Sequence, residues 1–93
     1  MHIENAIPGI LGKTITGVVV KRDQLTRSPA SQVFLVFSDN TYFEIYASTG
    51  DITSTSSLSR GGMPEVRRYM SENAEITLDA CLDEHGNVIK ETF

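Results

Sequence analysis

Hydrophobic positions along this chain recur mainly with a period of two, the spacing that predicts strands. The clearest run is Ala74, Ile76, Leu78, Ala80 and Leu82, alternating with Glu75, Thr77, Asp79, Cys81 and Asp83. It predicts a strand with one wet face. From Thr14 to Lys21, the β-branched Ile15, Val18, Val19 and Val20 favour a pleated backbone, because their χ1 is restricted in a helix. Val33-Phe34-Leu35-Val36-Phe37 is apolar at consecutive positions, so a strand over Gln32 to Ser38 is covered on both faces or meets a partner on one. Asp39-Asn40 then reads as a two-residue hairpin turn before a third strand, Thr41 to Ala47, since both residues tolerate positive φ. That turn sets Phe37 opposite Tyr42, Val36 opposite Phe43, Leu35 opposite Glu44 and Phe34 opposite Ile45, with Tyr42, Glu44 and Tyr46 sharing one face.

Helical spacing occurs once. In Met63 to Ser71, Pro64 and Glu65 suit a first turn and Val66, Tyr69 and Met70 form an i, i+3, i+4 stripe, which predicts a helix of about nine residues packed on the sheet. Glu84-His85-Gly86-Asn87 turns the chain and Val88 to Phe93 returns as a last strand. Pro8 to Gly12 makes a short apolar turn before the first strand, and Arg22 to Ser31 is an exposed connection. Ser48 to Gly62 holds eight Ser or Thr, three Gly and only two aliphatic residues, and reads as a long loop. The order β-β-β-α-β-β predicts an α+β domain: a single antiparallel sheet of about five strands with one short helix on one face.

Ninety-three residues, 40% of them apolar, fit one domain over 1–93. No apolar run approaches the ~18 residues of a membrane span. Met1-His2-Ile3-Glu4 lacks the basic and apolar opening of a secretory signal, and the single Cys81 forms no internal disulfide. The expectation is a cytoplasmic protein. The net charge of −4 resides in the second half, where residues 47–93 carry four cations against eight anions. Without a basic stripe, nucleic-acid binding is disfavoured.

Candidate chemistry is sparse. His2 and His85 lack zinc spacing, and Asp83 to Asn87 lacks the alternating acids of a calcium loop. Cys81 lies between Asp79 and Asp83, whose charges oppose a thiolate. Those two acids are themselves ~13 Å apart along a strand, too far to divide acid and base roles. No catalytic residue, cofactor or metal is assigned. Two candidate sites remain. Arg60, Gly61 and Gly62, joined by Arg67 and Arg68, precede or open the helix where backbone amides could hold a phosphate or carboxylate. Tyr42, Glu44 and Tyr46, with the acidic Glu75, Asp79 and Asp83, form a candidate partner surface. The expected function is a small non-catalytic binding or regulatory module acting through protein contacts, self-association as a homodimer included. Its size and acidity match those of accessory proteins of mobile elements. The alternative is an anion-binding domain or small enzyme that uses the 48–62 loop and the helix N-terminus.

Overall fold

The strand periodicity is realised as one antiparallel sheet. The structure, a computed structural model, describes residues 7–23, 31–48, 51–54, 58–69 and 74–92. The strands are β1 (Ile15–Asp23), β2 (Ser31–Phe37), β3 (Thr41–Ser48), β4 (Asp51–Ser54), β5 (Ser59–Arg60), β6 (Ala74–Leu82) and β7 (Val88–Thr92), with one helix, α1 (Met63–Arg68), and a 3-10 turn over Ile7–Ile10. Their order is β4-β3-β2-β1-β6-β7, and the two-residue β5 pairs beside β3.

Two strands exceed the five expected, and both arise from the 48–62 segment read as a loop. β4 pairs with Ile45 to Ser48 and β5 with Thr41 and Tyr42, so together they cover the outer edge of β3. Serine and threonine carry no hydrophobic alternation, and only the waiting edge makes them strands. The helix is shorter than expected, six residues, because Tyr69 turns extended (φ −70°, ψ 117°). Met70 and Ser71, expected to continue it, lie outside the described residues, as do Gly50 and Phe93.

The first hairpin also departs from the two-residue turn. Val36 pairs with Tyr42, Leu35 with Phe43, Phe34 with Glu44 and Val33 with Ile45, one position away from the expected register. Three residues form the loop: Asn40 stands at φ 62° and its N–H donates to Phe37 O at 3.3 Å. This is a type I turn closed by a left-handed residue. The 84–86 turn repeats it with Gly86 at φ 81°, its N–H donating to Asp83 O at 3.1 Å and Asp83 N–H to Asn87 O at 2.8 Å.

The corrected register sorts the side chains into two faces. On one, Val19, Phe34, Val36 and Tyr42 pack with Val66 of α1, flanked by Met63 and Ile76. A Cβ at Gly17 would stand 2.5 Å from Met63 Sδ, so the bare backbone there seats the methionine. An irregularity between Val20 and Lys21 in the β1/β6 ladder leaves Thr77 without a partner residue and brings Lys21 opposite Ile76 on the helix side. The other face carries Val18, Val20, Val33, Leu35, Leu78 and Ala80. Phe37 and Phe43 are buried at its end, packed with Ile10 and Leu58.

Candidate functional site

Two regions hold what the regular fold does not require: a buried polar cluster beneath α1, and the open apolar face on the far side of the sheet. The cluster is centred on Lys21 and Glu44, each 2% exposed. Lys21 lies on the helix face of the central strand, so its ammonium reaches the C-terminal end of α1. It donates to Val66 O at 2.7 Å, to Arg67 O at 3.3 Å and to Tyr69 O. These carbonyls are the acceptors a helix end leaves unpaired, and a cation suits that pole of the helix. Nζ also stands 5.4 Å from the Phe34 ring centroid. Desolvation holds the Lys21 pKa below its ordinary value, opposed by the charge of Glu44.

Glu44 accepts from Gln32 Nε2 at 2.7 Å and from the Tyr46 hydroxyl, and burial raises its pKa in spite of both. Tyr46 is pushed well above the usual phenol range by its own desolvation and by the carboxylate it serves. The neighbouring charge of Glu44 raises Tyr69 as well, ahead of burial. The Tyr69 ring meets Phe34 edge-on at 5.8 Å and Tyr42 at 6.4 Å. The cluster fastens the end of α1 to β1 and β3. Among the described residues, no group of three or more His, Cys, Asp or Glu is placed to hold a metal.

The partner-surface residues are therefore dispersed. Tyr42 (8% exposed) and Glu44 (2%) are buried, on the face that they share with Tyr46 and that α1 covers. Asp79 also lies on that face, held by Arg67 through Nε at 2.6 Å and Nη2 at 2.9 Å. Asp83 organises its own turn, accepting from the His85 and Asn87 N–H groups at 2.8 Å each, bonds that hold its carboxyl below the ordinary range. Glu75 is exposed at the other end of β6, opposite Arg22 in register.

The anion-site residues are largely engaged within the chain. Gly62 N–H donates to Glu65 Oε1 at 2.7 Å, Arg68 contacts Glu65 Oε2 at 3.1 Å, and Arg67 is committed to Asp79. The helix supplies its own carboxylate where a ligand anion would sit. Arg60 is exposed on β5. Gly61 (φ 141°) is packed so closely that a Cβ would lie 2.8 Å from Glu65 Cβ and 3.2 Å from Tyr42 Cε1.

The open face is the region the sequence indicated without locating. Val18, Val20, Val33, Leu35, Ile45, Leu78 and Ala80 remain half-buried there, while Val19, Phe34, Val36 and Tyr42 on the helix side are buried. Arg22 and Glu75 border it at one end, and Lys90 and Thr92 border it along β7, opposite Ala80 and Leu78. The consecutive apolar run of β2 supplied the signal, because it demanded cover on two faces and the described residues hold one α-helix. The chain matches no family model, no curated protein and no solved structure.

Proposed function

We propose that this domain is a non-catalytic protein-contact module whose first partner is a second copy of itself, docked through the open sheet face. The observation behind this reading is the uncharged, half-buried surface shared by β2, β1 and β6. Its composition suits the core of an interface, and the Arg22, Glu75 and Lys90 border suits a polar rim.

Charge placement favours a second copy. The acidic groups Glu44, Asp79 and Glu91 lie on the helix side of the sheet, so two chains of net charge −4 can meet without opposing those carboxylates. A two-fold contact requires one patch to complement itself, and an apolar sheet surface packs on its like about 10 Å away. Three strands at ~4.8 Å spacing and about five residues of ~3.3 Å give a footprint of roughly 240 Å² per copy. That is below the ~1,000 Å² in total that a stable specific interface buries, so the contact expected is a weak dimer that dissociates on dilution.

Sedimentation over a concentration series tests the reading. The wild-type chain is expected to pass from about 10 to about 20 kDa across the micromolar range. Val20→Glu, which puts a charge at the centre of the face, is expected to remain monomeric with unchanged circular dichroism. A wild type that stays monomeric at ~1 mM, near the weak limit of measurable association, would overturn it.

A further inference from the structure

The buried cluster on the helix side of the sheet is one proton short. An ammonium has three N–H groups, and those of Lys21 go to Val66 O, Arg67 O and Tyr69 O, so none is left for Glu44, which is 2% exposed. Gln32 reaches Glu44 instead. It stands opposite Tyr46 while Glu44 stands opposite Phe34, which makes the two diagonal neighbours on one face, and its Nε2 donates to Glu44 Oε2 at 2.7 Å. The other atom of that amide, Oε1, is buried without a hydrogen-bond partner. A buried acceptor without a donor is unfavourable, and so is a buried carboxylate without a cation bonded to it. A single proton on Glu44 relieves both, because a carboxylic acid has the O–H that an amide oxygen accepts.

We propose that Glu44 carries a proton while α1 is docked, its O–H donating to Gln32 Oε1, and that loss of this proton loosens the end of α1: a pH-sensitive clasp built into the helix side of the sheet. The link to the helix runs through two phenols. The Tyr46 hydroxyl bonds Glu44 and also meets the hydroxyl of Tyr69, the residue where α1 stops. Tyr69 N–H donates to Glu65 O at 2.8 Å, its carbonyl accepts from Lys21, and its ring rests on Phe34 and Tyr42. An ionised Glu44 is relieved by water, and water reaches it when Tyr69 lifts. Among the described residues, the titratable or charged groups facing Glu44 are Lys21 from β1, Tyr42 and Tyr46 on its own strand and Tyr69 past α1; β2 presents the neutral Gln32 and Phe34. Arg67 and Asp79, farther across that face, are paired with each other. Burial holds the Glu44 carboxyl above its ordinary range, in the sense the geometry requires. The closed form therefore binds the proton more tightly than the opened form, and the clasp weakens as pH rises through the raised value. The self-association proposed above uses the opposite face, so either reading can fail without the other.

Two measurements on the full chain test the clasp. The first is a 13C NMR titration of the Glu44 side-chain carboxyl in the wild type. Its midpoint is expected above the ordinary 4.5, and a midpoint at or below that value overturns the proposal. The second is hydrogen exchange over residues 63–69, compared at each pH between the wild type and Glu44→Gln, a neutral side chain of similar shape whose N–H can serve Gln32 Oε1. Matching the pH cancels the intrinsic exchange rate. The two chains are expected to protect α1 alike in acid. As pH climbs to 8 the wild type should exchange faster than the variant, reaching tenfold for each unit by which the Glu44 midpoint exceeds its value in the opened form. A ratio that stays constant across the series overturns the coupling to α1 even if the midpoint is raised. Should Glu44→Gln fail to fold, wild-type exchange over 63–69 is referred to that of β1 over the same series, with the same two outcomes.

Discussion

Lys21 shows how one side chain can hold two elements together. Its stem crosses the core of β1 while its ammonium satisfies three carbonyls at the end of α1, a helix too short to be stable alone. Lys21→Met keeps the stem and removes the donors. It is expected to lower stability by about 2–3 kcal/mol, read from urea unfolding, because buried acceptors lose their partner. Glu44 acts in the opposite sense. Its carboxyl titrates above the ordinary 4.5 in the folded chain, so the folded state binds that proton more tightly than the unfolded state. The resulting stabilisation is fully present below the ordinary value and is lost as pH rises through the raised one. Glu44→Gln should therefore gain stability relative to the wild type as pH climbs from 4 to 8. Unfolding free energies whose difference is flat over that interval would contradict the assignment.

Among the elements, the two hairpins and α1 carry the local instructions. Both turns place a left-handed residue third in the loop, Asn40 in one and Gly86 in the other. Glycine and asparagine populate that region at low cost, whereas a β-branched residue does not. Asn40→Gly is expected to be neutral or to raise the melting temperature slightly, while Asn40→Val should cost about 1–2 kcal/mol, measured by thermal unfolding of both variants side by side. At the start of α1, Glu65 accepts from Gly62 N–H at 2.7 Å and its carboxyl is held below the ordinary value by that bond. Glu65→Ala removes the cap and should cost about 1 kcal/mol. Addition of phosphate should not restore that loss if the amide needs a covalently placed carboxylate, and full rescue by millimolar phosphate would revive the anion reading of Gly61 and Gly62.

For the whole molecule, the governing asymmetry is one helix on a two-faced sheet. The chain measures 40 × 32 × 19 Å along its principal axes, broad and thin, as a sheet layered on a single side should be. The proposed self-association would convert the uncovered face into core and so make stability depend on concentration. The melting temperature of the wild type is expected to rise by several degrees between ~5 and ~500 µM, and that of Val20→Glu to stay constant.

Much of the fold was legible along the chain because strand pattern is local. The alternation of Ala74 to Leu82, the β-branched run before Lys21 and the turn residues at 39–40 and 84–87 each state their conformation within a few positions. The 48–62 segment was not legible, since Asp51–Ser54 and Ser59–Arg60 become strands only beside β3. Nor was the register of β2 on β3: whether Asn40 ends a two- or a three-residue loop changes by one position which residue of β2 lies opposite each residue of β3. The contacts of Lys21 with residues more than forty positions away leave no trace in the order of residues either. Composition and periodicity dictate which segments extend and that apolar surface exceeds what one helix can cover. Which surface stays open and which polar groups are sealed beneath the helix follow from strand order and long-range packing, since these bring together side chains that the chain keeps apart.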